Sequence, residues 1–397
     1  MKEILNKNIF ILSLGQALST TSVVIVATIS PLIAKVIAPN QSLATLPIFI
    51  QFLTITLVTV PASYLMKKLH WKFGFIIGSL TGLTGIILSS WGLIMQNFLL
   101  FCIGAVGFGV MISFSRYFRF AAADFSTAKN SSRAISLVLA GGVMAAVLGP
   151  ELAKWSRPLF TNLYLGSYIV VGCLILMLLI NLFFLNNKAT NLEINDYKLS
   201  VEPKEVSSSQ KITLGVAIVS GMVSYGVMIF LMSATPLAME TSHHSFSSTA
   251  FVIQWHVLGM FAPSFFTGNL INRFGLIKIM LIGVVLLLLS VIFNLLGSQV
   301  VHYWSGLFVL GVGWNFVFIG ATTMIAQLPI GSKKNSILAL NEFLVSATTA
   351  ICSLSSAAVL FKFNWQIVNY VTLPFSIFLL GSLLFLGYRN SKKNLVI

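Results

Sequence analysis

Charge is what this chain has least of. Only 8% of its 397 residues are Asp, Glu, Lys or Arg, and just nine of them are acidic. A water-soluble protein of this length carries charge at about a quarter of its positions, so a soluble globular fold is excluded. Cys102, Cys173 and Cys352 all fall inside apolar stretches. That placement excludes a disulfide scaffold and marks them as packing residues. There is no glycine-rich phosphate loop with its lysine, which excludes transport or catalysis driven directly by ATP. No metal-ligand spacing is present, and the adjacent His243 and His244 do not make one alone. No His, Asp or Ser cluster gathers at one end of the apolar runs, so the chain does not read as an enzyme. No cofactor is expected.

What is abundant is apolar: 57% of residues are hydrophobic and the mean hydropathy is +0.95. About twelve runs of ~20 apolar residues recur along the chain, each long enough to cross a bilayer core as a helix. They lie near 9–37, 43–66, 73–95, 98–123, 134–153, 163–186, 212–238, 248–271, 277–297, 303–327, 336–361 and 367–388. The first is too long for a signal-peptide core and no small-x-small cleavage site follows it cleanly, so it reads as a retained helix. The net charge of +15 is spread over the connections between runs, a membrane topology signal and not a nucleic-acid face. With the N-terminus inside, only Lys35, Lys154, Arg157 and Lys362 fall outside. The expectation is an all-α membrane protein with an even number of spans and both termini cytoplasmic.

The longest polar stretch runs from Asn186 to Gln210 and has six runs on either side. This predicts an N-terminal six-helix bundle over 1–186, a cytoplasmic linker over 187–211 and a C-terminal six-helix bundle over 212–397. Such a layout suggests internal duplication. A local trace supports it: at an offset of 205, Leu65 matches Leu270 and Lys68 matches Arg273, each in a short basic turn.

These features resemble the major facilitator superfamily. The superfamily's loop signature G-x-L-x-D-R-x-G-x-x-K/R is met by Gly268, Leu270, Arg273, Gly275 and Lys278, with Asn272 in the acidic position. In the first-half copy Lys67 takes the acidic position and His70 the second glycine. Gly149-Pro150 resembles part of the antiporter motif of drug–proton exchangers, and Arg116 resembles the span-4 arginine. The resemblance implies two pseudo-symmetric six-helix bundles that work by alternating access. It also implies that spans 1, 4, 7 and 10 line the substrate path.

Ionisable groups inside spans are costly, which makes them functional candidates. Glu342, beside Asn341 in span 11, is the first candidate for proton coupling. Glu151, just after Gly149-Pro150, is the second, and Lys154 stands at i+3 as a ready ion-pair partner. Arg116, Arg119 and Asp124 at the inner end of span 4, with Asn272 and Arg273 in the basic turn, are gating candidates. Substrate-binding candidates are Gln16 in span 1, Tyr225 and Met228 in span 7, Trp314, Asn315 and Phe318 in span 10, and Asn341 in span 11. Trp314, Asn315 and Phe318 combine a stacking surface with an amide, which suits an amphipathic, aromatic ligand. Gln254, Trp255 and His256 form a further polar-aromatic patch.

The expected activity is proton-coupled efflux of a small amphipathic molecule, with uptake of a nutrient, vitamin or siderophore as the alternative and a non-transporting receptor as a third reading. The expected partners are the substrate, protons and membrane lipid, with no nucleic acid. The expected assembly is a monomer in a bacterial inner membrane. Glu342→Gln should abolish gradient-driven transport while leaving substrate exchange intact. An unchanged pH dependence of transport in that variant removes Glu342 from the mechanism.

Overall fold

The computed structural model describes residues 7–126, 131–186, 208–328 and 334–394. Residues 187–207 of the expected linker lie outside the described residues. Long helices occupy the apolar runs: α1 (Lys7–Ile37), α2 (Leu46–Ile94), α3 (Phe98–Ser115), α4 (Phe118–Asp124), α5 (Ser131–Ser156), α6 (Leu165–Phe183), α7 (Ser208–Thr241), α8 (Phe246–Phe261), α9 (Ser264–Phe274), α10 (Leu276–Leu295), α11 (Val300–Gln327), α12 (Lys334–Lys362) and α13 (Trp365–Asn394). Among the described residues, 11 helices are long and apolar enough to cross a membrane, or up to 12 when the bent pair α8–α9 counts as one. The protein is a multi-pass membrane protein. Large apolar side chains such as Leu99, Phe183 and Phe378 stand exposed on it, as a surface that meets lipid requires.

Polar side chains inside the helices mostly bond to their own backbone. In α1 the hydroxyls of Thr21, Ser22 and Thr28 donate to the carbonyls of Ala17, Leu18 and Val24, each one turn back. That satisfies a hydroxyl where no water competes. Helix starts are capped conventionally: Asn97 accepts from the Leu100 N–H at the start of α3, and Gln299 and His302 form a capping box on α11.

Contacts divide the chain into two compact units, Met1–Glu193 with Ser245–Gln254, and Ile194–His244 with Trp255–Ile397. In the first unit, Met66, Trp71, Phe75, Phe114 and Phe118 join Leu12, Leu178 and Leu182 in one buried cluster. Phe75 lies 5.8 Å from Trp71 and 4.4 Å from Phe118, ring centre to ring centre. In the second unit, Ile271, Ile279 and Phe316 form a smaller cluster with Leu270 and Val312 around them. Each unit also contains a pair of helices pressed together through glycine. A Cβ on Gly107 would come within 2.8 Å of Gly85 Cα in the first, and one on Gly313 within 2.8 Å of the Gly283 carbonyl in the second. Small residues at such crossings let backbones approach where lipid supplies no hydrophobic drive.

Two spans differ from the sequence reading. The run 248–271 breaks into α8 and α9, which meet at 44°. Pro263 lies at that break, where it has no N–H to continue the ladder. The run 98–123 is interrupted at Arg116 and Tyr117, whose hydroxyl donates to the Thr59 carbonyl at 2.9 Å.

The basic turns of the two units share a backbone peculiarity. α2 carries most of two spans, Gln41–Met66 and Lys68–Ile94, and its helical backbone is broken by a kink at His70. His70 has φ 68° and ψ 162°, and Gly275, its partner at the offset of 205, has φ 93° and ψ 146°. That region is essentially reserved for glycine and costs another residue of order 1–3 kcal/mol. His70→Gly is therefore expected to stabilise the protein by about 1 kcal/mol, once glycine's larger unfolded-state entropy is deducted. Gly275→Ala should lower stability. Thermal unfolding of the purified variants in one detergent checks both signs, and a midpoint that falls in His70→Gly contradicts the strain.

Candidate functional site

In the second unit, α7 packs against both α11 and α12. Trp314 and Phe318 are one turn apart on α11 and stack nearly parallel, with centroids 5.1 Å apart and planes at 9°. The i, i+4 spacing is what brings them to one face. Tyr225 of α7 meets both edge-on, at 5.1 Å and 87° to Trp314 and 5.1 Å and 81° to Phe318. Each contact of this kind is worth about 0.5–1.5 kcal/mol beyond area burial, so the three rings hold one another in place. Tyr225 and Phe318 are half-buried and Trp314 is buried.

Two buried polar atoms on the helices that pack against α7, one on α11 and one on α12, have no partner. Trp314 Nε1 is buried without an acceptor, and Asn341 Oδ1, on a side chain only 6% exposed, is buried without a donor. Asn341 faces Gly221 of α7, where a Cβ would lie 3.7 Å from its Oδ1. Gly221 sits one turn before Tyr225, on the same face of α7. An unpaired buried donor or acceptor costs about 1–3 kcal/mol. Flat aromatic faces with one open donor and one open acceptor can hold a planar heteroaromatic ligand.

The other candidates are distributed as follows. Asn315 is buried, and its amide is fully engaged: Nδ2 donates to the Met260 carbonyl at 2.7 Å and to Ser264 Oγ at 2.6 Å, while Oδ1 accepts from Thr267 Oγ1 at 2.7 Å. This corrects its assignment as a ligand group, because it holds the α8–α9 break together. Met228 is 1% exposed; it packs in the core, which corrects its assignment too. Gln16, on α1 of the first unit, donates to Thr20 Oγ1 at 2.7 Å. Glu342 is exposed while its neighbour Asn341 is buried. Glu151 forms an exposed ion pair with Lys154 at 3.8 Å, an arrangement worth about 1 kcal/mol at most.

Among the gating candidates, Asp124 accepts a hydrogen bond from Trp71 Nε1 at 2.9 Å. Trp71 directly follows the strained His70, and nothing in the sequence flagged it. Arg119 lies 4.9 Å over the Phe120 ring, and Arg273 lies 5.3 Å over Phe274. Asn272 is exposed near the end of α9. In the outlying patch His256 is fully buried and donates Nδ1–H to the Leu307 carbonyl at 2.7 Å, and Trp255 packs on Trp304 and Phe308. Among the described residues no group of three or more His, Cys, Asp or Glu could hold a metal ion.

The family model of the Major Facilitator Superfamily matches residues 12–344 and 216–396. The chain belongs to the Major Facilitator Superfamily. Within that superfamily it is 36% identical over 370 residues to the riboflavin transporter RfnT of Brucella anthropi, covering 93% of this chain and 92% of that one. It is 24% identical over 350 residues to the uncharacterized MFS-type transporter YdeG of Bacillus subtilis, covering 82% and 79%. Its fold is similar to the inward-facing structure of a bacterial homologue of the iron transporter ferroportin (TM-score 0.73, 14% identity, 96% and 99% covered). It is equally similar to the nucleoside transporter NupG (TM-score 0.73, 12% identity, 96% and 100% covered). The protein is a secondary transporter and not an enzyme.

The Asn315 network predicts a stability phenotype. Asn315→Ala removes three side-chain hydrogen bonds at roughly 0.6 kcal/mol each within a membrane, so the variant should be less stable by about 2 kcal/mol. Thermal unfolding in detergent measures this, and a variant as stable as the parent would remove the network from the account of the break.

Proposed function

We propose that this transporter carries riboflavin, or a closely related planar heteroaromatic vitamin, into the cell across a bacterial inner membrane. The observation that carries the reading is the Tyr225–Trp314–Phe318 ring box with its open Trp314 donor. An isoalloxazine ring is flat, aromatic and edged with acceptors, and such a box complements it. The 36% identity to a riboflavin transporter supports the same ligand class. Within the sequence reading this favours vitamin uptake over drug efflux. The partial antiporter motif supporting efflux has a packing explanation, since a Cβ on Gly149 would sit 2.7 Å from Val24 Cγ1.

In this mechanism both termini face the cytoplasm, a placement the basic turns support, and the protein works as a monomer by alternating access. Glu342 carries the coupling proton. It is adjacent to Asn341 on α12, so a change in its charge is felt beside the ligand site. Glu151 is the weaker candidate because Lys154 already compensates it. Arg116, Arg119 and Asp124, with Trp71 holding the carboxylate, form one gate, and Asn272 and Arg273 serve the matching turn of the other half.

The test is uptake of radiolabelled riboflavin by riboflavin-auxotrophic bacteria that express the protein. Accumulation above the empty-vector control, abolished by a protonophore, is expected. Trp314→Ala should lower it about tenfold at equal protein level, since one stacking contact of this size corresponds to about a tenfold change in affinity. Accumulation that equals the vector control, or that is unchanged in Trp314→Ala, overturns the reading.

A further inference from the structure

The unpaired oxygen of Asn341 has no explanation in packing alone. The side chain is 6% exposed, and its Oδ1 meets no donor. Opposite it is Gly221, where a Cβ would stand 3.1 Å from Val345 Cγ2 and 3.7 Å from the amide oxygen, so α7 sends no side chain of its own against Asn341 at this point. The contrast with Asn315 is direct: one α11 residue saturates its amide on three partners, while the α12 residue leaves an acceptor open. Placement adds to this. Gly221 and Tyr225 lie one turn apart on the same face of α7, about 6 Å along the axis. The open acceptor thus faces α7 one turn before the position that carries Tyr225.

We infer that Asn341 determines specificity by accepting a hydrogen bond from the imide N–H of the flavin ring, an inference that rests on the flavin reading above. The imide edge presents an N–H between two carbonyls. A carboxamide oxygen accepts from that N–H, and the same carboxamide's NH2 can donate to a flanking carbonyl. Glu342 does not compete for this contact. It is the next residue, about 100° around the helix, and it is exposed where Asn341 is buried. A site built to pair with a ligand N–H rejects analogues that lack it, because its own polar atom is then left unpaired. Trp314 Nε1–H, the open donor of the box, supplies the complementary contact to a ring nitrogen or carbonyl.

The experiment compares riboflavin with imide-N-methylated riboflavin, read as quenching of flavin fluorescence by the purified full-length protein in lipid nanodiscs. The wild-type protein is expected to bind riboflavin and to bind the methylated analogue at least about tenfold more weakly. Asn341→Leu should weaken riboflavin by a similar factor and bind the two flavins alike. The wild-type comparison needs no variant, so it stands even where Asn341→Leu folds poorly. Equal binding of both flavins by the wild type overturns the role of Asn341 and leaves the flavin reading standing. Discrimination that survives in Asn341→Leu overturns it too. Binding of neither flavin removes the flavin reading and this inference together.

Discussion

The structure depends throughout on one constraint: inside a bilayer no water is available to satisfy a polar group, so the protein must supply every partner itself. The helices answer it by closing their backbone bonds internally and folding hydroxyls back onto the preceding turn, as Thr21, Ser22 and Thr28 do. The break between α8 and α9 is where that answer would fail. Pro263 interrupts the ladder by offering no N–H to the Gly259 carbonyl, and the bend opens the chain at Met260 next to it. Asn315, arriving from α11, donates to the Met260 carbonyl and to Ser264 and accepts from Thr267. A bend of 44° is thereby held by side-chain bonds in place of backbone ones. Asn315 thus gives the Met260 carbonyl at the break a side-chain partner from a neighbouring helix.

The same economy bears on the duplication. The two basic turns, 205 residues apart, each carry a residue in the same left-handed, extended backbone region. In the second half that residue is Gly275, in the first His70. The first half's turn is then steadied by what surrounds it. Trp71 is buried, stacks near Phe75 and donates to Asp124, while Lys72 Nζ reaches the Phe183 carbonyl at 2.6 Å. The first half holds the same turn geometry without a glycine, and burial and hydrogen bonding on its far side hold the chain there.

Span number and order were legible in the sequence because a membrane helix is a long, simple signal: about twenty apolar residues bounded by basic turns. The twelve expected runs fall on the observed helices to within a few residues at most ends. The ring box was legible in part, since Trp314 and Phe318 are spaced by four and Tyr225 lies mid-span. What spacing could not show was which way each amide turns. Asn315 is adjacent to Trp314 in sequence but points about 100° away around the helix, toward α8 and α9. Met228 was chosen on the same mid-span argument, and it faces the core. The break at Pro263 had a visible signal, a proline within an apolar run. The Trp71–Asp124 bond had none, because its partners are 53 residues apart and only the fold joins them.

The two asparagines show how the bilayer constraint can be turned into a criterion for function. A structural polar residue in a membrane protein should be saturated, and Asn315 is. An unsaturated one costs about 1–3 kcal/mol in the empty protein; His256 Nε2, Asn294 Oδ1 and Ser376 Oγ bear that cost as well, so an open atom is a candidate ligand contact only where aromatic faces stand near it. Trp314 Nε1 is an open donor within the ring box itself, and Asn341 Oδ1 is an open acceptor on α12 facing Gly221, one turn before Tyr225 on α7. Because the rings are preorganised, a flat ligand gives up little to bind them. Because the polar atoms are unpaired until it arrives, the hydrogen bonds discriminate more than they attract. In the proposed site, stacking would select for any aromatic plane, while the open acceptor would select for a plane that carries an N–H at its edge. A transporter also has to release what it binds. Modest stacking combined with a few edge contacts gives recognition without a depth of binding that would hold the cargo in place.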